Sequence, residues 1–435
     1  MSVATPEYDA IIIGAGIMGC GIAYGLAKKG SRILVLDKNP AAGYGSTSNS
    51  AAVIRTFFST EASCALAWEG LHYWRNWEAF LGVSDERGLI RFIQRGCVFL
   101  RNGEPDGMDV CCKHFDRLGI PWEAWDVHHL AQKLPFLDLR RFTPPRRHDD
   151  PSFGHPARGR VTGALYFPES GFVTDPQLAT HNLQVAAAAK GVAFRFHARV
   201  SRIVAHNGRV AGVQLENGEA IAASVVVNAA GPYSNIINTM AGVERAMAVR
   251  TRALRQEICH VPAPSGADLN LIIADPDIAS YLRPESGNSL LIGSTQPPCD
   301  PLEWVDDPDN FNRNPTEQWT TQVHRQALRI PSLPIPSRAA GVVDLYDVTD
   351  DWTPIYDCSD LPGFYMAVGT SGNQFKNGPV AGQLMARLID YCESGNNHDE
   401  KPYRFPFAYT RGSVDVSAFS RRRSVDRKAT EGVLG

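Results

Sequence analysis

The stretch YDAIIIGAGIMGCGIAYGLAKKGSRILVLD, residues 8–37, decides the fold of this chain. An apolar run that predicts a buried strand leads into the glycine turn GAGIMG, residues 14–19. A run of helix-forming residues follows, and a second apolar strand ends on Asp37. Strand, glycine turn, helix, strand and terminal carboxylate form the context in which a GxGxxG turn binds a dinucleotide. The sequence therefore predicts a dinucleotide site at the N-terminus of an α/β fold.

The residue type at each key position of this unit has a physical reason. Gly14 permits the tight turn, and Gly16 lets the backbone approach a pyrophosphate. Gly19 lets the helix pack closely on the sheet, so that the helix N-terminus faces the phosphates. Asp37 is expected to accept hydrogen bonds from the adenosine ribose hydroxyls.

The composition excludes several classes of function. The 435 residues are 44% hydrophobic, which is enough for a large core, and the net charge of −3 gives no reason to expect nucleic acid or an anionic membrane as a partner. No apolar run approaches the roughly 20 residues that span a bilayer. The nine cysteines contain no CxxC pair and no HExxH motif occurs, so neither a metal site nor a dithiol is predicted. The direct entry from the N-terminus into the first strand predicts a cytoplasmic protein with reduced thiols.

The fingerprint alone fits FAD and NAD equally, and the loop after Asp37 bears on the choice. This loop, NPAAGYGSTSNSAAVIR (39–55), is rich in small polar residues, which can wrap a pyrophosphate and the face of a ring system. With the preceding fingerprint it resembles the D-amino-acid-oxidase-like superfamily of flavoenzymes, in particular the branch of sarcosine oxidase and dimethylglycine dehydrogenase. The resemblance implies FAD. Since no second GxGxxG occurs, electrons are expected to pass directly between flavin and substrate.

The resemblance implies that FAD is held by four parts of the chain. The expected cofactor-binding residues are Gly14, Ala15, Gly16, Ile17, Met18, Gly19, Asp37 and Lys38; then Gly45, Ser46, Thr47, Ser50, Ala51 and Ala52; then Val200, Ala229, Ala230 and Gly231; and last Gly369, Gly372, Asn373, Gln374, Phe375 and Lys376. The last group lies in a glycine loop between a buried strand (364–368) and a helix (379–390). That helix is expected to direct its N-terminus at the flavin edge where negative charge accumulates on reduction.

Four side chains are the candidates for chemistry. Arginine binds a carboxylate through both oxygens, and Arg55 ends the loop that lies beside the flavin. In sarcosine oxidases an arginine and a lysine at matching positions hold the substrate carboxylate, which assigns that role to Arg55 and Lys376. Tyr346 and Tyr281 match active-site tyrosines of the same family. The structural alternatives are an Arg55 that pairs with a surface acid and tyrosines that belong to the core.

Departures from the family pattern also lead to expectations. The cysteine that links flavin covalently in monomeric sarcosine oxidase falls at Asp344, so FAD should be bound non-covalently. A lysine credited there with oxygen activation falls at Leu291, which makes an acceptor other than O2 plausible. Ala52 replaces the first arginine of an R-x-x-R pair, and Asn373 and Gln374 replace two residues of SGHGFK, which puts sarcosine itself in doubt.

These patterns predict a Rossmann-type FAD-binding domain, of the glutathione-reductase-like kind, interleaved with a mixed-sheet α+β substrate domain. Residues 1–80, 161–240 and 341–435 are assigned to the FAD-binding domain, and residues 81–160 and 241–340 to the substrate domain. The Pro-rich, basic stretch 137–160 is either a functional loop or a solvated insertion. The basic tail beyond Thr410 is predicted to be surface-bound or disordered.

The predicted function is oxidation of a C–N bond in an amino acid or N-substituted amino acid by hydride transfer to flavin N5, with hydrolysis of the resulting imine. Its partners would be a small amine substrate and O2 or another electron acceptor. The rival class is a flavin-binding protein without turnover, either an assembly factor or a subunit of a larger complex. An aromatic hydroxylase with the same N-terminal fold is disfavoured because no GD motif and no NADPH contact are recognisable. Substrate-dependent bleaching of the flavin would separate the first two classes.

Overall fold

A computed structural model describes residues 7–103 and 107–425. The helices of these residues are α1 (Ile17–Ala27), α2 (Glu61–Arg75), α3 (Trp77–Leu81), α4 (Met108–Leu118), α5 (Val127–Lys133), α6 (Pro176–Ala188), α7 (Ser234–Ala241), α8 (Glu317–Arg329) and α9 (Gly378–Glu393).

The first half of the chain contributes β1 (Tyr8–Ile13), β2 (Ile33–Leu36), β3 (Val53–Ile54), β4 (Phe92–Gln94), β5 (Cys97–Arg101), β6 (Glu123–Asp126), β7 (Arg140–Arg141), β8 (Ala157–Arg160), β9 (Gly163–Phe167), β10 (Gly171–Val173), β11 (Ala193–Arg195) and β12 (Val200–His206). The second half contributes β13 (Arg209–Leu215), β14 (Ala220–Asn228), β15 (Thr251–Pro262), β16 (Ile272–Asp275), β17 (Ser280–Glu285), β18 (Ser289–Ser294), β19 (Trp304–Val305), β20 (Gly341–Thr349), β21 (Ile355–Cys358), β22 (Phe364–Val368), β23 (Arg404–Pro406) and β24 (Ser413–Asp415).

The N-terminal fingerprint forms the centre of an eight-stranded sheet with the order β11-β2-β1-β14-β13-β12, in which β22 also pairs with β14 and β21 with β22. Strands β11, β2, β1, β14 and β22 run parallel, with Ile12 opposite both Val35 and Val227. The central strands are apolar over most of their length because helices cover both faces of a parallel sheet. The predicted strand–turn–helix–strand unit is thus confirmed at the place where it was expected.

Helices α1 and α9, which are far apart in sequence, pack closely against each other beside this sheet. Helices α1 and α9 meet through glycines, and a Cβ atom at Gly382 would lie 2.2 Å from the carbonyl oxygen of Gly21. A methyl group at that distance would push the helices apart, so the glycines set their separation. The N-termini of α1 and α9 consequently reach the same region of the molecule, next to the ends of β1 and β22.

The second large sheet has nine strands in the order β19-β15-β18-β17-β16-β5-β9-β6, with β20 paired to β15 along its whole length, from Thr251 opposite Thr349 to Cys259 opposite Gly341. It is mixed, since β16 and β5 run parallel while its other pairs are antiparallel. Strands β9 and β20 therefore lie in this sheet although they fall within ranges assigned to the FAD-binding domain. The division of the chain into two domains at the stated boundaries stays a prediction.

The basic stretch 137–160 is folded against α8. The guanidinium of Arg329, in the last turn of α8, donates to the carbonyl oxygens of Asp138 and Arg140. The side chains of Arg147 and His148 bond to Gln318 and Thr321 on the same helix, at 2.9 and 2.8 Å. The stretch is thus packed against α8 and is not a solvated insertion.

The C-terminal segment differs from its prediction. Residues 411–425 were expected at the surface or disordered, yet Arg421 is 1% exposed and Phe419 is buried in the core. The guanidinium of Arg421 pairs with Asp357 at 3.0 Å, with Asp360 at 2.5 Å and with Asp399 at 2.7 Å. Three aspartates distant in sequence thereby make a basic residue part of the interior, and the prediction was wrong for this segment. Residues 426–435, which it also covered, lie outside the described residues.

None of the helices in the described part of the chain is both long enough and apolar enough to span a bilayer.

Candidate active site

A large cavity of about 710 Å³ runs between the two large sheets. All of the predicted site residues except Ala15, Gly19 and Gly369 line it. One end is formed by the glycine turn before α1 and by the residues that follow β2; the other end is formed by one face of the nine-stranded sheet. The fold thus brings four separate parts of the chain to one cavity.

The three residues that do not line the cavity shape its walls. The amide of Ala15 donates to the carboxylate of Asp37 at 2.7 Å, which fixes that carboxylate beside the glycine turn. A Cβ atom at Gly19 would lie 1.8 Å from the carbonyl oxygen of Gly14, so Gly19 lets α1 approach the turn as predicted. The amide of Gly369 donates to Asp347 at 2.6 Å.

The glycine-turn end has the features of an anion site. Gly14 has φ +106° and a Cβ there would lie 2.4 Å from the carbonyl oxygen of Ala229, so glycine is required. Gly16 is the N-cap of α1 and brings no capping side chain, while the hydroxyl of Thr47 accepts from the amide of Ile17 at 3.2 Å. Backbone N–H groups and the helix dipole at such a position attract phosphate.

Arg55 lies at the opposite end of the cavity, immediately after β3. It is 6% exposed, its guanidinium lies over the rings of Phe57 and Phe58 at 4.7 and 4.2 Å, and it donates to the carbonyl oxygen of Phe57. Burial lowers the pKa of Arg55 to about 10. The side chain is therefore a desolvated cation in the cavity wall.

Lys376 lies close to Arg55, in the short 3-10 helix that precedes α9. Its side chain is 4% exposed, and Nζ donates to the carbonyl oxygen of Asn373 at 2.5 Å. Burial, together with the charge of Arg55, holds the pKa of Lys376 well below its usual range. Among residues 7–103 and 107–425, no carboxylate forms an ion pair with Lys376. A buried cation without a counter-ion is costly, and an anion would relieve that cost.

Tyr281 and Tyr346 line the cavity from β17 and β20, and their hydroxyls lie close enough for each to influence the pKa of the other. Burial raises the pKa of both phenols, and the neighbouring Tyr346 raises the pKa of Tyr281 further. Gly372 of the C-terminal loop lies directly against Tyr346, since a Cβ there would be 2.2 Å from its ring. The pair stays neutral and presents hydroxyl groups at the same end as the two cations.

Several lining residues were not predicted. Strands β15 and β16 each contribute two, in the i, i+2 positions that share one face of a strand: Gln256 and Ile258, and Ile272 and Ala274. Alternation along these strands is the signal that could have identified them. Arg199, Tyr233 and Asp309 line the other end and carried no local signal.

Two positions singled out as departures have different places. Asp344 lines the cavity and accepts from the side chain of Asn49 at 2.5 Å and from the amide of Leu345 at 2.8 Å. Leu291, on β18, does not line the cavity, so its identity carries no information about oxygen at this site. Cys97 is a cavity-lining thiol, and burial raises its pKa to about 12.

Comparison with known proteins gives the site its context. The family model described as FAD dependent oxidoreductase (DAO) matches residues 9–388. Glycine oxidase of Geobacillus kaustophilus is 25% identical over 422 residues, which cover 95% of this chain and 100% of that protein. Human mitochondrial sarcosine dehydrogenase is 25% identical over 392 residues, 88% of this chain and 39% of that protein.

Among solved structures, L-proline dehydrogenase from P. horikoshii superimposes with a TM-score of 0.76 at 22% identity, covering 96% of this chain and 98% of that one. At this identity the likeness concerns the fold, and it confirms the predicted Rossmann-type FAD domain joined to a mixed-sheet part. The expected cofactor, FAD, is confirmed by the family match.

Proposed function

We propose, on the premise that the chain belongs to the DAO family of FAD dependent oxidoreductases, that it oxidises a C–N bond in an amino acid or an N-substituted amino acid. The observation that carries this proposal is the pair of buried cations, Arg55 and Lys376, beside the tyrosine pair at one end of the cavity. Two desolvated cations select an anionic substrate, and the hydroxyls beside them are suited to a polar group next to the carboxylate.

The residues present suit FAD. The cradle at Gly14 and Gly16 admits a backbone contact that a side chain would block, and the N-terminus of α1 favours the pyrophosphate. Asp37 would receive the ribose hydroxyls, and the loop around Gly372 would meet the ring system. FAD bound there supplies the acceptor for a hydride from the substrate carbon. Cys97 stays a thiol, which agrees with non-covalent binding.

Arg55 and Lys376 would bind the substrate carboxylate. A guanidinium fork holds both oxygens of a carboxylate, and an ammonium adds a point charge, so together they fix its orientation. Binding would also remove the cost of the unpaired Lys376 charge and raise its pKa towards the ordinary value. The C–H bond of the substrate is oriented because the carboxylate at one side and the tyrosines at the other leave few positions for the carbon between them.

Tyr281 and Tyr346 would hold the amine end. Phenol hydroxyls of raised pKa donate hydrogen bonds without becoming charged, so they favour a neutral amine over an ammonium beside two cations. Among the described residues that line the cavity, none is a histidine. The amine would therefore lose its proton to solvent on binding, and its lone pair would assist departure of the hydride.

The neighbouring wall is apolar or neutral on the sheet side, where Ile258, Ile272 and Ala274 lie. It supports a substrate with an uncharged side chain or none. The cytoplasmic location stays a prediction.

The test is an anaerobic spectrum of the FAD-loaded protein, recorded before and after addition of a panel of D-, L- and N-methyl amino acids. Loss of the oxidised flavin bands with one class of compound is expected, and readmission of air then separates an oxidase from a dehydrogenase. Arg55→Ala and Lys376→Ala should each raise the substrate concentration for half-maximal bleaching by at least about 10-fold, the value of a charge-assisted hydrogen bond. A flavin that stays oxidised with every compound would favour the rival function, a flavin-binding subunit without turnover.

A further inference from the structure

Asp309 lies in a short acidic segment that closes the end of the cavity opposite Arg55. The segment 306–310 begins the connection from β19 to α8, and a tight turn holds it, because the amide of Asp309 donates to the side chain of Asp307 at 3.0 Å. Pro308 is buried, and residues 307–309 line the cavity. Since β19 pairs with β15, the segment belongs to the nine-stranded-sheet side.

The carboxylate of Asp309 is bound by three residues from the other side of the cavity. Arg199 donates to one oxygen at 2.9 Å, and Tyr233 donates to the other at 2.8 Å. Lys38 forms an ion pair with that second oxygen, and its ammonium lies 3.7 Å from the centre of the Tyr233 ring. Although desolvation raises it, hydrogen bonds from Arg199, Lys38 and Tyr233 hold the pKa of Asp309 well below its usual range, so the clamp is ionic at neutral pH.

The position of this clamp is informative. Lys38 follows Asp37 directly, and Arg199 directly precedes Val200, so two partners of Asp309 adjoin expected cofactor-binding residues, of which Asp37 is the one expected at the ribose. All four members of the clamp line the same cavity as Asp37. The clamp therefore spans the cavity from one sheet side to the other at the proposed adenosine end.

We propose that Asp309 is a positioning residue of the FAD site, which holds Lys38 and Arg199 and keeps the segment 306–310 closed over the adenosine half of the cofactor. This inference rests on the FAD placement proposed above. With the clamp closed, adenosine can leave only after three contacts to one carboxylate have separated. The clamp thus governs release of FAD, while the chemistry takes place at the other end of the cavity.

The test measures the rate of FAD release, followed by flavin fluorescence after dilution of the loaded protein. Asp309→Asn should accelerate release by about 10-fold, since it converts charge-assisted contacts to neutral ones. Asp306→Asn is the matched control: it lies in the same segment and makes no ion pair within the described residues, so its release rate should equal that of the wild type. Higher salt should accelerate release from the wild type more than from Asp309→Asn.

Two further variants separate a clamp from a general stabilising contact. Arg199→Gln should also accelerate release, and the double variant Arg199→Gln with Asp309→Asn should be no faster than the faster single variant. The unfolding midpoint of the FAD-free Asp309→Asn protein should match that of the FAD-free wild type. Three results would each overturn the proposal. They are additive effects of the two substitutions on the release rate, an unfolding midpoint of FAD-free Asp309→Asn below that of the FAD-free wild type, and a release rate that Asp309→Asn leaves unchanged.

Asp37→Asn distinguishes failure of this inference from failure of the FAD placement. If Asp37→Asn weakens FAD binding while Asp309→Asn leaves release unchanged, the placement stands and the clamp is rejected. If neither variant affects FAD, the placement itself is wrong, and the inference falls with it.

Discussion

The indole nitrogen of Trp74 donates a hydrogen bond of 2.6 Å to the main-chain carbonyl of Lys376. Trp74, on α2, is 1% exposed and also stacks on Phe375 with ring centres 5.3 Å apart. The tryptophan thereby fixes the backbone of the turn that carries the ammonium group. A residue that the helical pattern assigns to the core is in this way joined to the candidate carboxylate site.

Trp74→Phe should therefore weaken substrate binding without weakening FAD binding. The variant keeps an aromatic ring but loses the donor, which leaves the Lys376 carbonyl without that partner and lets the turn shift. We expect the KM of the amino-acid substrate to rise by about 3- to 10-fold, the usual value of one buried hydrogen bond. Trp77→Phe is the control, because Trp77 stacks on Trp74 but donates to Asn182. An equal effect of both variants would assign the loss to packing.

The depressed pKa of Lys376 predicts how substrate binding depends on pH. Only the protonated ammonium attracts a carboxylate, so the affinity advantage of the wild type over Lys376→Met should be full below the pKa of Lys376 in the free protein and decline as the pH rises through it. The decline should begin well below the ordinary lysine value because burial and Arg55 lower this pKa. The measurement is the substrate concentration for half-maximal flavin bleaching as a function of pH.

Lys376→Arg supplies the control for that profile. An arginine keeps its charge to higher pH, so the decline should move upwards, while Lys376→Met should bind weakly and keep only the pH dependence that the substrate amine itself brings. A wild-type profile identical to that of Lys376→Met would exclude Lys376 from carboxylate binding.

The adjacent tyrosines predict a loss that affects turnover more than the cofactor. Tyr346→Phe and Tyr281→Phe each remove one hydroxyl from the same part of the cavity, so each should lower kcat/KM by about 5- to 30-fold, and the double variant should lose less than the product of the two. Flavin content should be unchanged. Tyr166→Phe, on β9 and outside the cavity lining, is the control and should retain full activity.

Features of this fold could be predicted from the sequence where the residues that form them are close together in the chain. The glycine turn, α1 and Asp37 lie within thirty consecutive residues, so their local pattern carries the fold. Arg55, Lys376 and the tyrosines are separated by hundreds of residues and were matched only through a family resemblance. Their proximity in one cavity depends on the pairing of β20 with β15 and on the packing of α9 against α1, which local pattern does not specify.

Long-range ion pairs were invisible to sequence for the same reason. Asp309 joins Lys38, Arg199 and Tyr233, and no spacing in the chain relates these positions. The C-terminal segment shows the opposite error. Its basic composition is typical of a solvated tail, and composition alone does not reveal that three aspartates from other parts of the chain pair with Arg421.

A comparison of Arg421 with its neighbour Arg422 separates the effect of burial on stability from the effect of charge. The Arg421 guanidinium is 1% exposed and contacts Asp357, Asp360 and Asp399, so Arg421→Met would leave the fully buried carboxylate of Asp357 without its arginine partner and should lower the free energy of unfolding by about 3–5 kcal/mol. The neighbouring Arg422 pairs with Asp360 and Asp399 too, but its side chain is 48% exposed, so Arg422→Met should cost less than about 1 kcal/mol. Denaturant unfolding of the two FAD-loaded variants gives the comparison. Equal losses would mean that the C-terminal segment is held by its net charge, whereas a large loss confined to Arg421 would show that it is anchored by one buried side chain.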